Sequence, residues 1–193
     1  ASKMAMMMDG LARLARLGDH ALDTGLIDMN QMVRQIVKTL RYLSRKVDVE
    51  IVVEELPGCH ADAGQLHQVF CNLIGNALKF RRAETQPVVE ISGRTFYDGT
   101  PRPEGAGGLA GMDYCKILVK DNGIGFDERF LERIFLPFQR LHGRLEYEGS
   151  GMGLTICRKI AARHGGAITA KSRPGVGATF IVTLPLKNKL PQT

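Results

Sequence analysis

No run of apolar residues approaches the roughly 20 needed to cross a bilayer, and no basic segment followed by an apolar core stands at the N-terminus. The expectation is a cytoplasmic protein, or a cytoplasmic piece of a larger one. Cysteine is sparse: Cys59, Cys71, Cys115 and Cys157 stand singly, with no Cys-x-x-Cys pair and no matching histidine spacing. That excludes a disulfide framework or a zinc-finger pattern and leaves reduced, partly buried thiols. Four Tyr and eight Phe do not interleave with the basic residues, which are dispersed along the chain. The net charge of +6 therefore argues for no nucleic-acid groove. A small ligand bearing phosphate, or an acidic partner protein, explains it equally well. Missing too are a Gly-Lys-Ser/Thr phosphate loop and a Gly-x-Gly-x-x-Gly turn after a strand, which separates the chain from Walker-type and dinucleotide-binding enzymes.

What is present fits one domain of ordinary size with a short appendage: 193 residues, 44% apolar and 24% charged. Apolar side chains at Met4, Met7, Met8, Leu11, Leu14 and Ala15 share a helix face. Gly18 would end that helix, which has little to pack on locally. Asp28 stands as N-cap of a second amphipathic helix over Met29 to Leu43, and Pro57-Gly58 closes the strand "VEIVVEEL". A helix from Ala63 to Lys79 precedes two strands, "PVVEISGRTFY" and "DYCKILVKD". Between those strands the Gly- and Pro-rich stretch "DGTPRPEGAGGLAGM" reads as a long hairpin loop. Helices over Asp127 to Ile134 and Met152 to His164, then strands "GAITAKS" and "GATFIVTLPL", complete the pattern. This order without strict βαβ spacing predicts an α+β fold, a two-layer sandwich of a mixed sheet with helices on one face.

Three stretches carry the chemistry. In "QVFCNLIGNALKF", Asn72, Asn76 and Lys79 fall at helical offsets 0, 4 and 7 and share a face. In "VKDNGIGF", Asp121 ends a strand-forming run, and Gly123 and Gly125 leave the backbone bare, for a ligand or simply for a tight turn. In "YEGSGMGLTICRKI", Gly149, Gly151 and Gly153 precede a helix whose first N–H groups would suit an anion.

In this order the three stretches resemble the ATP-binding domain of sensor histidine kinases, in the superfamily shared with DNA gyrase, a heat-shock chaperone and the mismatch-repair ATPases. "NLIGNALKF" is similar to the N box, "DNGIGF" to the first glycine box, "FLPFQRLH" to the F box and "GSGMGLTI" to the second glycine box. The likeness covers Leu26 to Leu186 and implies a Bergerat-type ATP-binding fold over 26–188. Residues 1–25 are then the remnant of a dimerisation and phosphoacceptor hairpin, and 189–193 a tail. By resemblance Asp121 accepts from the adenine amino group, with Thr179 supporting it, while Gly123 and Gly125 let base and lid close on the backbone. Asn76 matches the Mg²⁺ ligand. Asn72, Lys79 and Arg140 face the phosphates of ATP, Phe80 flanks the nucleotide, and Gly149, Ser150, Gly151, Gly153 and Leu154 form the glycine-rich lid edge. The lid, Leu141 to Gly151, is expected to be mobile without nucleotide.

Departures from the family pattern are informative. The ATPase branches place a water-activating glutamate where this chain has Asn72, and an amide cannot take a proton. That argues for a kinase that passes phosphate on. Arg81 and Arg82 follow "KF" where many relatives have threonine, a variant most like kinases coupled to phytochrome or PAS-type sensors. None of His20, His60, His67, His142 or His164 has the setting of an acceptor histidine. His20 and His60 read as loop residues, His142 as part of the lid, and His67 and His164 as helix-surface residues. The implied partners are the dimerisation helices of the parent kinase, a homodimer in its full length, and a response-regulator receiver domain downstream, with no nucleic acid. The competing readings are a nucleotide-binding regulatory module without chemistry and an anti-sigma serine kinase.

Overall fold

The computed structural model describes residues 8, 10–12, 14–17, 21–43, 48–98, 112–141 and 150–186. The elements run β1 (Thr24–Ile27), α1 (Met29–Leu43), β2 (Glu50–Val53), β3 (Cys59–Asp62), α2 (Ala63–Lys79), β4 (Val88–Asp98) and β5 (Met112–Asp121). A 3₁₀ turn (Glu128–Phe130), α3 (Leu131–Ile134), α4 (Gly153–Arg163), β6 (Ala167–Arg173) and β7 (Gly177–Pro185) follow.

Five strands form one mixed sheet in the order β2-β4-β5-β7-β6, with β2 parallel to β4 and every other pair antiparallel. Alternation along the strands decides its two faces. Val89, Ile91, Cys115, Ile117, Val119, Phe180, Val182 and Leu184 are buried. They share the core with Val33 and Ile36 of α1, Val69, Phe70, Leu73 and Ile74 of α2, and Ile156 and Ile160 of α4. Full burial of a side chain such as Phe70 or Ile74 stabilises the fold by about 1.5–3 kcal/mol. The opposite face carries the Lys120–Glu90 ion pair and a Phe96–Tyr114 stack with Lys116 over the Phe96 ring. The two-layer α+β sandwich expected from the sequence is the observed architecture.

The helix starts also match. Asp28 accepts from Gln31 N at 3.0 Å and Asp62 from Gln65 N at 2.9 Å. Asp127 caps the 3₁₀ turn, which together with α3 replaces the single helix expected over that stretch. The short antiparallel pair β1–β3 was not anticipated, since four residues per strand give alternation little length to show. Gly75 lies inside α2, and a Cβ there would meet nothing within 4 Å. Gly75→Ala should therefore raise stability by about 0.5–1 kcal/mol, read as a higher denaturant midpoint at unchanged slope.

Three expectations change. The N-terminal helix does pack locally: a Cβ on Gly10 would lie 2.7 Å from Met152 Cγ, Lys159 Nζ donates to Leu14 O at 2.8 Å, and Leu17 joins the core. Its inward face is thus Gly10, Leu14 and Leu17, spaced i, i+4, i+7, while Met8, Leu11 and Ala15 are exposed. Gly10 was invisible to an apolar count because close approach selects it for having no side chain. His164 is buried rather than on the surface, and His60 belongs to β3 rather than a loop. The four cysteines are free, and burial pushes the Cys71 and Cys157 thiols up, Cys157 to about 12. Met4, Met7, Gly18, His20, His142 and the loop 99–111 lie outside the described residues. Among those described, no helix is long and apolar enough to cross a membrane.

Candidate functional site

A cleft of about 280 Å³ lies between α2, the end of β5, the segment 134–141 and the start of α4. The spacing read from the sequence places Asn72, Asn76 and Lys79 of α2 on its wall, with Phe80, the helix C-cap, beside them. Lys79 Nζ sits 4.6 Å from the centroid of the Phe80 ring. Asn72 faces the first residue of α4, donating from Nδ2 to Gly153 O at 3.5 Å. A Cβ on Gly153 would come 3.4 Å from Asn72 Oδ1, so the glycine lets α4 begin close against the wall.

Asp121 lines the other end of the cleft. Its Oδ1 accepts from Gly123 N at 2.8 Å and Ala178 N at 3.3 Å. Burial pushes its carboxyl above the usual range, and these two hydrogen bonds pull the other way. The loop after it is fastened on three sides. Ile124 N donates to Phe80 O, Gly175 N to Ile124 O, and Phe126 N to Ser172 Oγ. Arg82 Nε and one of its terminal nitrogens donate to Asn122 O and Gly175 O at 3.0 and 2.9 Å. The Asn122 side chain bonds Val88 N and Gln86 O.

The glycines of "DNGIGF" also answer to contacts within the chain. A Cβ on Gly123 would fall 2.3 Å from Phe80 O, and one on Gly125, at φ +60°, 2.2 Å from Arg173 O. The groups that press on this backbone belong to the chain itself. Gly125 still lines the cleft, whereas Gly123 does not appear on its wall.

Thr179 also needs correction. It pairs with Lys120 in the ladder, so Asp121 stands beside Ala178, and Thr179 belongs to the other face of the sheet. The support for Asp121 is the Ala178 amide. Inward Phe180, Val182 and Leu184 carried this signal, because alternation extended back by two residues reaches 178. Ile124, Phe126, Ala178 and Phe180 line the cleft without having been singled out, as do Ile134, Gln139 and Leu141.

Arg140, Ser150, Gly151, Gly153 and Leu154 reach the cleft as expected, and Gly149 lies outside the described residues. Gly151 has φ +74° and packs against the backbone of Phe138, itself a non-glycine residue at φ 61°. Met152, at the N-cap of α4, makes no side-chain cap bond. Among the described residues no three His, Cys, Asp or Glu side chains gather to hold a metal.

Residues 61–188 match the family of histidine kinase-, DNA gyrase B-, and HSP90-like ATPases. The chain belongs to that family. This ATPase-family domain is 38% identical over 187 residues to the phytochrome-like protein Cph1 of Synechocystis sp., covering 97% of the chain and 23% of Cph1. It is 32% identical over 169 residues to the histidine protein kinase DivJ of Caulobacter vibrioides, covering 86% of the chain and 26% of DivJ. The chain thus spans about a quarter of the length of these relatives. Among solved structures, full-length ShkA in complex with AMPPNP superimposes with a TM-score of 0.70 at 25% identity, over 96% of the chain and 36% of ShkA. The catalytic domain of histidine kinase ThkA in a nucleotide-free form gives 0.65 at 23% identity, over 86% of the chain and 99% of that domain. The latter likeness concerns the fold.

Proposed function

We propose that the cleft binds Mg·ATP and that the domain passes the γ-phosphoryl group to a histidine on a separate helical domain of a longer sensor kinase. The observation that carries this reading is the meeting of a half-buried carboxylate, a polar helix face and a glycine-rich helix start in one cleft. Asp121 would accept from the adenine amino group, with Phe80, Phe126 and Phe180 supplying apolar surface near the base. The phosphates would lie towards Asn72, Lys79, Arg140 and the amides of Ser150, Gly151 and Gly153, where the uncapped start of α4 favours negative charge. The nucleotide complex of ShkA, a relative in fold and sequence, supports the same occupant.

A divalent ion fits the donors present. Mg²⁺ keeps several waters and takes few protein ligands beside substrate phosphates, so a single amide oxygen, that of Asn76, suits it better than a carboxylate cage would. When bound, the ion neutralises charge on the phosphate oxygens. The protein's part is positioning: two asparagines and a lysine on a rigid helix hold the phosphate chain, and no carboxylate at position 72 draws a proton from water. The domain should then transfer faster than it hydrolyses. Its partners would be the dimerisation hairpin of its own parent, paired in a homodimer, and then a response-regulator receiver domain.

Calorimetry with ATP in Mg²⁺ should show binding to the 193-residue chain. With labelled ATP, the parent's dimerisation hairpin supplied in trans should gain acid-labile phosphate that depends on Mg²⁺. Tight binding without labelling would instead favour a regulatory module that uses nucleotide only as a signal.

A further inference from the structure

His164 is 4% exposed, and neither the nucleotide nor the transfer reading gives it work. It ends α4 on the side away from the glycines. Asp62 N approaches its Nε2 at 3.0 Å, across 102 residues of sequence, and its Nδ1 lies 2.8 Å from Ile160 O. A backbone N–H can only donate and a carbonyl can only accept. The tautomer is therefore fixed by its neighbours: the proton sits on Nδ1, and Nε2 accepts.

Asp62 caps α2, the helix that presents Asn72 and Asn76 to the cleft. From His164 a series of polar links runs down the α2–α4 seam towards that cleft. Arg163 donates to Gln65 Oε1 at 3.4 Å, Cys157 Sγ to Val69 O at 3.8 Å, and Asn72 Nδ2 to Gly153 O at 3.5 Å. The partners descend α4 as they climb α2, so the helices run antiparallel. The His164 pair is the shortest of the four cross-links and stands at the far end. The other three are long and weak by geometry, so within the apolar packing of the two helices His164 makes the strongest polar tie between the end of α4 and the start of α2.

We propose that His164 is a positioning residue for nucleotide binding. By holding the α2–α4 register it sets the spacing between the segment 150–154 and Asn72 and Asn76. It touches no substrate; Asn72 lies ten residues along α2 from Asp62, or about 15 Å at the helical rise. The proposal rests on the nucleotide reading of the cleft.

Two substitutions separate register from mere stability. Glutamine can bring Oε1 near the place of Nε2 and accept from Asp62 N, whereas phenylalanine fills the space and leaves that amide unpaired. His164→Phe should weaken ATP binding by about tenfold, the effect of losing one supporting hydrogen bond, measured where circular dichroism shows it folded. His164→Gln should bind within about threefold of the parent, by the same arithmetic. Imidazole nitrogen shifts in the parent should show the Nδ1–H tautomer. A folded His164→Phe that binds ATP like the parent overturns the proposal, as does a His164→Gln as weak as His164→Phe. Should His164→Phe not fold, His164→Gln and the tautomer decide, and a proton found on Nε2 overturns it. A parent that binds no ATP sinks the reading of the cleft itself, whereas a binding parent with an indifferent His164→Phe removes only this inference.

Discussion

Asp121→Ala should weaken ATP binding by about ten- to a hundredfold, because a hydrogen bond to a charged acceptor is worth about 1.5–3 kcal/mol. Calorimetry on parent and variant at neutral pH measures it, and equal affinities would remove Asp121 from the base site. The same carboxyl makes the effect pH-dependent in a defined direction. Burial raises its folded-state pKa, and the protonated acid presents an O–H where the adenine amino group also donates. Affinity should therefore fall on acidification sooner than an ordinary carboxylate would allow. Stability responds oppositely. A raised folded-state pKa contributes stability that is fully present below the unfolded pKa and is lost as pH rises through the folded value. At neutral pH the half-buried charge is thus a cost to the empty domain. Asp121→Asn, which can still accept from Gly123 N and Ala178 N, should bind ATP poorly yet unfold no earlier than the parent.

Gly125→Ala should be strongly destabilising although it adds only a methyl group. The position needs φ +60°, which L side chains avoid, and the new methyl would sit 2.2 Å from Arg173 O and 2.9 Å from Gly177 O. Neither neighbour is the free end of a side chain: Arg173 and Gly177 pair with each other at the turn between β6 and β7. Strain and overpacking each cost about 1–3 kcal/mol, so a loss on the order of 3 kcal/mol or more is expected. Chemical denaturation should show it as a much lower midpoint. Gly125→Ala with parental stability would mean that the 121–126 loop and the β6–β7 turn can part freely.

Much of this architecture could be read before any coordinates. Asp28 announced its helix, and the offsets of Asn72, Asn76 and Lys79 put them on one wall because an α-helix repeats rigidly. Strand parity was equally available, yet the family resemblance pointed to Thr179 while Ala178, whose side chain has no chemistry, supplies the contact through its backbone. The same blind spot explains Gly123 and Gly125. A sequence shows that backbone is bare, but the atom that presses on it comes from Phe80 or Arg173, far away along the chain. Arg82 looked like a departure from family pattern, and only its two carbonyl partners, forty and more residues distant, show it to be a brace. His164 was missed because an imidazole that ends a helix looks the same exposed or buried.

The wall around Asp121 is knitted from residues 80–82, 121–125 and 173–178, which meet through hydrogen bonds between parts of the chain far apart in sequence. A nascent chain can wind α2 long before the last of these leaves the ribosome, but it has no finished cleft wall at Asp121 until β7 has been laid against β5. Under the nucleotide reading, ATP then acts as an inspector of finished chains. It rewards only complete ones, adding about 2.7 kcal/mol of stability at a ligand concentration a hundred times the Kd. Truncated or misregistered copies receive no such protection and are left to proteolysis.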